Sequence, residues 1–318
     1  METRSNWVDL IAGVGVDIAE VFDEGQIEYV PGLGSIVQSL TGDGGQETVT
    51  GKTGVGELQK FTDGDNLPEG KRYKTYNTTI VWNNYGKYVD VTKNTIEDKD
   101  PRYKQALDEM KDLSISSNYS QDKSAMQLFN GGFSTTITKN GYDMTWPGDG
   151  VALFSSSHPS VVLGQANRSN LGTAATFNTI NLETGIVALE EQSTCDGLPV
   201  SLLGKPVVVL PPALRKEGFE ITESVLLPST ANNTINYYKD GAQVDMVVST
   251  HLSNTFGGSD TAWFLTIPQR AQLSHILRQA PRLEQDTNIK NKVVTFTVDA
   301  RWADAAKSWI RTWANQGA

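Results

Sequence analysis

Residues 98–133, DKDPRYKQALDEMKDLSISSNYSQDKSAMQLFNGGF, carry the clearest helical pattern in the chain. Asp98 or Asp100 can cap the helix, and Pro101 suits its first turn. The two glycines before the final phenylalanine can end it. An apolar stripe at helical spacing follows one face: Tyr103, Leu107, Met110, Leu113, Ala125, Leu128 and Phe129. We predict a spine helix of about 50 Å at ~1.5 Å per residue, and the serine-rich stretch 114–120 allows a kink or break in its middle.

The preceding residues 46–93 have the composition of extended chain, because they are rich in Thr, Val and Tyr and interrupted by glycines. We predict a hairpin with a strand at 71–82, a turn at 83–86 and a return strand at 87–92. Its first strand is polar on both sides for most of its length, so the ribbon buries little and is marginal alone in water. This pattern favours an assembly protein whose ribbon lies on a neighbour, and an ordinary surface hairpin is the alternative.

The first zone, residues 1–45, begins with apolar residues on one helical face: Trp7, Leu10, Ile11, Val14, Ile18, Val21 and Phe22. Gly13 and Gly15 weaken this helix. The zone is interpreted either as an arm that lies on another surface or as an N-terminal helix packed on its own domain.

The remaining zone, residues 133–318, mixes strands and helices. Strands are predicted at 207–210, 243–252, 262–267 and 293–298. Helices are predicted at 213–224, 268–279 and 303–314. Since these elements do not alternate as regular βαβ units, the fold class is α+β.

Composition excludes several function classes. The chain has 318 residues, a formal charge of −10 and a pI of about 4.9, which argues against a partner held mainly through phosphate contacts. Its single cysteine, Cys195, cannot form an intrachain disulfide or a cysteine-cluster metal site. The sequence contains no apolar run near the roughly 20 residues of a membrane span, and its start lacks the pattern of a signal peptide.

A search for catalytic chemistry gives weak candidates. Ser157 and His158 are adjacent, but sequence neighbours seldom face each other in the geometry of a nucleophile and its base. A locally hydrogen-bonded turn is the favoured interpretation of this pair. We expect His275 on a solvated helix face, His251 at a strand end and Cys195 in a loop. The sequence therefore predicts no catalytic residue, no cofactor and no metal site.

A basic group interrupts the acidic chain at Lys71, Arg72 and Lys74. Such a local reversal of charge suits contact with an acidic neighbour, including the acidic arm of another copy. A nucleic-acid patch is the competing interpretation. Together with Trp7 and Tyr76, these residues are the candidate intersubunit contacts.

Several short motifs occur in a familiar order: Val91-Thr92-Lys93, Leu128-Phe129-Asn130-Gly131-Gly132-Phe133, Asp149-Gly150-Val151-Ala152-Leu153-Phe154, Ser157-His158-Pro159, Gly204-Lys205-Pro206-Val207-Val208-Val209, Ala262-Trp263-Phe264-Leu265 and Arg301-Trp302-Ala303-Asp304. In this order and spacing the chain resembles the major capsid proteins of tailed bacteriophages, which have the Hong Kong 97 type of fold. Within them it most resembles the Mu-like major head subunit group.

The resemblance implies an N-terminal arm at 1–45 and an extended loop at 46–93 that reaches over an adjacent subunit. It further implies a peripheral domain with the spine helix at 94–133 and 286–318, and an axial domain at 134–285. Some relatives crosslink a lysine of the loop to a neighbouring asparagine, and location alone makes Lys52, Lys60 and Lys71 candidates.

The function implied by the resemblance is that of a major capsid protein without enzymatic turnover. Hexamers and pentamers would form an icosahedral shell that encloses phage double-stranded DNA without sequence-specific binding. Implied partners are a separate scaffolding protein, a portal and a decoration protein, with synthesis in the host bacterial cytoplasm and final location in the virion capsid. The alternatives are another phage structural protein, of the tail or decoration kind, and a serine-type hydrolase.

Overall fold

The computed structural model describes residues 18–28, 32–63, 66–97, 101–162, 164–194, 197–200, 204–226, 235–238, 243–268, 272–288 and 290–318. The chain forms two compact units. Unit 1 comes from segments 1–32, 82–123 and 277–302, and unit 2 from segments 33–81, 124–276 and 303–318. The division into arm, extended loop, peripheral domain and axial domain refers to places in a shell and stays a prediction.

Helices and strands are mixed along the described residues. The helices are α1 (18–28), α2 (Lys93–Glu97), α3 (Pro101–Asn130), α4 (Thr179–Glu190) and α5 (Arg215–Thr222). The strands are β1 (Gln38–Thr41), β2 (Gln46–Lys52), β3 (Lys74–Val81), β4 (Asn83–Thr92), β5 (Thr138–Lys139), β6 (Tyr142–Thr145), β7 (Val207–Leu210), β8 (Asp245–Val248), β9 (Trp263–Thr266), β10 (Leu273–Asn288), β11 (Val293–Ala306) and β12 (Thr312–Asn315). This mixture confirms the α+β class. Among the described helices, none combines the length and the apolar character that crossing a membrane would require.

The predicted spine helix is present as α3, and it runs without a break for 30 residues. In unit 1, its small polar residues bind α1. Ser114 Oγ donates to the Phe22 carbonyl at 2.6 Å, and Asn118 Nδ2 donates to the Gln26 carbonyl at 3.1 Å. The helices approach so closely that a Cβ on Gly25 would lie 2.8 Å from Ser114 Cβ. The serines that suggested a kink therefore form a docking site for a second helix.

Unit 1 also contains a sheet in which β4 pairs antiparallel with β11, from Thr92 opposite Val293 to Asn83 opposite Trp302. Its core consists of buried apolar side chains from both strands and the helices: Ile18, Val91, Ile96, Ala106, Met110, Val294 and Phe296. The predicted hairpin is therefore wrong. The return strand is β4, but it pairs with a strand some 200 residues later in the chain, because that partner supplies the apolar surface the polar strand β3 lacks.

In unit 2, β3 pairs antiparallel with β2, with Gln46 opposite Val81 and Lys52 opposite Lys74. This ribbon has a buried base, since the side chains of Ile80 and Thr78 are buried. A Cβ built on Gly148 would overlap the Asn77 carbonyl, so the ribbon lies directly on the backbone of residue 148. The base of the ribbon thus rests on its own chain rather than on a neighbour.

The centre of unit 2 is a four-stranded sheet with the order β12-β9-β7-β8. All residues of β7 are buried, and alternate ones enter two different apolar clusters. Val207 and Val209 pack with Phe264 on one face, while Val208 and Leu210 pack on the other. Helix α4 contacts β9 and β12, and α5 contacts β8. The predicted strand at 207–210 is confirmed, as is the strand predicted at 262–267.

Two predicted helices near the C-terminal end are wrong. The segment 268–279 enters β10, where residues 273–276 are all buried. Both faces of that part of the strand are covered, so the alternation that identifies a half-exposed strand is lost. The segment 303–314 holds the end of β11, a turn and β12. Arg311 has a φ of 65°, which an α-helix cannot contain.

The contact at Gly148 yields a stability prediction. We expect Gly148→Ala to lower the free energy of unfolding by about 1–3 kcal/mol, because the new methyl group forces the ribbon off residue 148. Gly45→Ala is the control, since no described atom lies within 4 Å of a Cβ there and its φ is not positive; its effect should stay within about 1 kcal/mol. Urea titration of both variants measures the difference. Equal midpoints would contradict the close packing of the ribbon.

Candidate assembly surface and buried polar networks

A long loop joins β2 to β3 in unit 2. Its ends are tied together, because the Thr53 amide donates to the Tyr73 carbonyl at 2.9 Å and the Tyr73 amide donates to Thr53 Oγ1 at 2.9 Å. Between these residues, the described positions 54–63 and 66–72 are all exposed. We call these positions the exposed loop.

The exposed loop presents large apolar side chains to solvent. The exposed fraction is 102% for Leu58, 73% for Leu67, 51% for Phe61 and 50% for Val55. Isolated exposed apolar residues are ordinary on protein surfaces. Several of them within one loop, each at least half exposed, are typical of a surface that binds another molecule.

The candidate intersubunit residues fall in and beside this loop. Lys71 and Arg72 belong to the exposed loop, and Lys74 begins β3 with its side chain exposed. Tyr76 is half-buried, and its hydroxyl donates to the Pro159 carbonyl at 3.4 Å. Trp7 lies outside the described residues. The structure thus brings the three basic residues together on one exposed segment, and their contact with another subunit stays a prediction.

His158 is fully buried in a polar network that the sequence did not reveal. Its Nδ1 lies 2.7 Å from Asp149 Oδ2, and its Nε2 lies 2.9 Å from Asn170 Oδ1. The orientation of the Asn170 amide is fixed because its Nδ2 donates to the Leu153 carbonyl at 2.8 Å. The ring also stacks on Trp309 at 4.4 Å with an angle of 11°. The network therefore holds several loops of unit 2 together.

The geometry does not form a nucleophile and base from Ser157 and His158. Both ring nitrogens of His158 face Asp149 and Asn170, while Ser157 Oγ accepts a hydrogen bond from Asn167 Nδ2 at 2.8 Å. Ser157 is exposed and His158 is buried. The favoured interpretation, a structural histidine, agrees with this arrangement, although its partners lie 9 and 12 residues away rather than in the same turn.

A second buried network surrounds His275. The expectation of a solvated helix face is wrong, because His275 lies in β10 and is 3% exposed. Its Nδ1 is 2.8 Å from Asp304 Oδ1, and Ser124 Oγ donates to Asp304 Oδ2. The carboxylate, not the imidazole, is the central group, so the order of groups differs from the serine–histidine–aspartate arrangement of a hydrolase. No sequence signal joins these residues, since they come from three distant segments.

A small cleft lies between the ribbon base and the rest of unit 2. Its volume is about 190 Å³, and its lining includes Lys52, Tyr76, Asp149, Lys307 and Trp309. Clefts that enclose drug-sized ligands usually measure about 300–1,000 Å³. Within the described ranges, no group of three or more His, Cys, Asp or Glu side chains is placed to hold a metal ion.

Comparison with known proteins gives matches by structure only. No family model matches the sequence, and no curated protein matches it either. The chain is similar to the capsid of a native GTA particle (TM-score 0.55, 11% identity, covering 90% of this chain and 89% of that one). It is also similar to the mature capsid of bacteriophage PhiM1 (TM-score 0.55, 10% identity, covering 91% and 87%). A third likeness is to the bacteriophage JBD30 capsid (TM-score 0.52, 14% identity, covering 71% and 92%).

These likenesses establish the fold. The chain has the Hong Kong 97 type of capsid fold, which confirms the fold class predicted from the sequence. The similar structures are capsids of tailed bacteriophages and related particles, and the Mu-like subgroup stays a prediction.

The His158 network gives a prediction that separates structure from catalysis. His158→Ala should lower the free energy of unfolding by about 2–4 kcal/mol, because it leaves a cavity beside Trp309 and removes the partner of buried Asp149 and Asn170. Ser157→Ala, at the exposed neighbour, should change it by about 0.5 kcal/mol or less. Urea titrations measure both. If instead both variants lost ester hydrolysis shown by the wild type while unfolding normally, the structural role would be refuted.

Proposed function

We propose that this chain is a major capsid protein of the Mu-like group, which assembles as hexamers and pentamers into an icosahedral shell. One observation supports this above the rest: a capsid-type fold carries an exposed loop whose large apolar side chains are each at least half exposed to solvent. In the proposed shell, the exposed loop lies over an adjacent subunit. The arm and the peripheral domain lie around this loop, and the axial domain faces the capsomer centre.

The energetics of the loop support an assembled state. Burying one large apolar side chain is worth roughly 1.5–3 kcal/mol. Part of that gain offsets the cost of ordering the loop and of bringing two subunits together. A single such contact is therefore weak, but every subunit of a closed shell both gives and receives one, so the contacts reinforce one another.

The charge of the chain suits a container for DNA. Packaged double-stranded DNA is a polyanion, and a strongly basic lining would bind it tightly through counterion release. With a formal charge of −10, this subunit does not favour such tight binding of DNA. The proposal includes a separate scaffolding protein, a portal and a decoration protein as partners, synthesis in the host cytoplasm and a final place in the virion.

Shortening the loop tests the proposal. Replacing residues 55–71 with a short Gly/Ser linker keeps the hydrogen bonds between Thr53 and Tyr73 that close the ribbon. We expect the purified variant to keep the melting temperature of the wild-type subunit, because the removed residues pack on little of their own chain. It should nevertheless fail to form closed shells in electron micrographs.

A matched variant keeps the loop length and removes only its apolar character: Leu58→Ser, Phe61→Ser and Leu67→Ser combined. It should reduce the yield of closed shells without lowering the melting temperature. Closed shells of normal diameter from both variants would contradict the proposed role of the loop. Tubes or isolated trimers from the wild type would instead favour a tail or decoration protein.

A further inference from the structure

Helix α5 borders a shallow groove on the surface of unit 2. The groove has a volume of about 580 Å³, and its lining includes Pro212, Arg215, Lys216, Phe219, Met246 and Val248. Phe219 is 58% exposed although it is aromatic. Both charged side chains in the lining, Arg215 and Lys216, are basic, and Lys216 Nζ also lies 3.7 Å from Glu220 on its own helix. We call this surface the α5 groove.

Helix α4 carries a surface of the opposite character. Its exposed residues, with the one that follows the helix, recur at helical spacing: Ile180, Glu183, Thr184, Val187, Glu190 and Glu191. Ile180 is 78% exposed, although isoleucine is usually buried. All the charges in this set are acidic, and α4 itself contains no basic residue. We call this surface the α4 stripe.

The two surfaces lie on the same side of the four-stranded sheet but over opposite edges of it. Helix α4 packs at Gly185, whose Cβ position would lie 3.0 Å from Trp313 of β12 and 2.9 Å from Leu265 of β9. Helix α5 packs at Gly218, against Met246 of β8 and Leu210 of β7. Since β12 and β8 are the two ends of the sheet order, the stripe and the groove belong to opposite ends of one layer.

We propose that the α5 groove of one subunit binds the α4 stripe of the next copy, and that this contact forms the capsomer ring. Apolar residues of the stripe would cover Phe219, while Glu190 and Glu191 would lie beside Arg215 and Lys216; Glu183 already accepts a hydrogen bond from Tyr238 of its own chain. Complementary surfaces on opposite ends of a layer suit head-to-tail association, which forms a ring when the rotation from one copy to the next closes. A twofold contact that pairs either surface with its own copy would place glutamates against glutamates, or basic residues against basic residues, and is disfavoured. The inference rests on the proposed capsid function and specifies its intersubunit contact.

Charge reversal tests the contact on the full chain. Glu190→Lys with Glu191→Lys, and separately Arg215→Glu with Lys216→Glu, should each reduce capsomer yield at least tenfold, as measured by size-exclusion chromatography with light scattering. The quadruple variant, which carries all four substitutions, should recover wild-type yield because opposite charges face each other again. Asp108→Lys, an exposed reversal on α3, should not rescue the Arg215→Glu, Lys216→Glu variant.

Mixing the two double variants gives a stricter expectation. Each variant now complements only the other, so an equimolar mixture should form alternating rings, which close only with an even number of subunits. Hexamers are therefore expected and pentamers are not, whereas the quadruple variant should form both. Failure of both the mixture and the quadruple variant to recover capsomers would overturn the contact, as would undisturbed assembly of either double variant.

A covalent readout does not depend on charge. In a Cys195→Ser background, Val187→Cys combined with Phe219→Cys should give ladders of disulfide-linked oligomers after oxidation of assembled particles, and either cysteine alone should not. An absence of ladders in particles that assemble normally would also overturn the pairing. If the wild type forms no particles at all, the proposed capsid function fails; if it forms shells while the charge and cysteine tests fail, only this contact does.

Discussion

The burial of β7 on both faces is the constraint on which unit 2 depends. A strand with no exposed face must be covered by a layer of structure on each side. Alternate side chains of the strand point to opposite faces, so each layer packs against one of the two sets. Val207 and Val209 face the cluster that includes the last turns of α3, and Val208 and Leu210 face the cluster under α4. Helices α4 and α5 pack on the same face of the four-stranded sheet. Their outer surfaces therefore point away from the core and are available for contact with other molecules.

Sequence patterns identified the elements whose signals are local. Helix α3 has capping residues, a terminal glycine pair and a sustained apolar stripe, and β7 is a short apolar run ended by prolines. The patterns failed where tertiary packing decides the structure. Strand β10 is buried on both faces at its start, so its residues lack the alternation of a strand. The partner of β4 is distant in the chain, so nothing near β4 indicates that pairing.

The buried networks show the same limit for polar residues. His158 was correctly interpreted as structural, because adjacency to Ser157 is poor geometry for catalysis, but its partners Asp149 and Asn170 could not be named from spacing. His275 was misplaced because its binding partner, Asp304, belongs to another strand. The ribbon of β2 and β3 is different. The strand predicted at 71–82 lacks an apolar face for most of its length, which indicated an unusual surface, and only the structure located the boundary between the buried base of the ribbon and the exposed loop.

The pairing of β4 with β11 has a consequence for biosynthesis. When Thr92 leaves the ribosome, its partner Val293 has not been made. Translation of the intervening stretch of about 200 residues, at about 5–20 residues per second, takes on the order of 10–40 s. During that interval the strand that pairs with β4 in the folded chain is missing, so Val89 and Val91 lack the neighbours Phe296 and Val294. A chaperone that shields this strand would keep unfinished chains from joining one another before unit 1 can close.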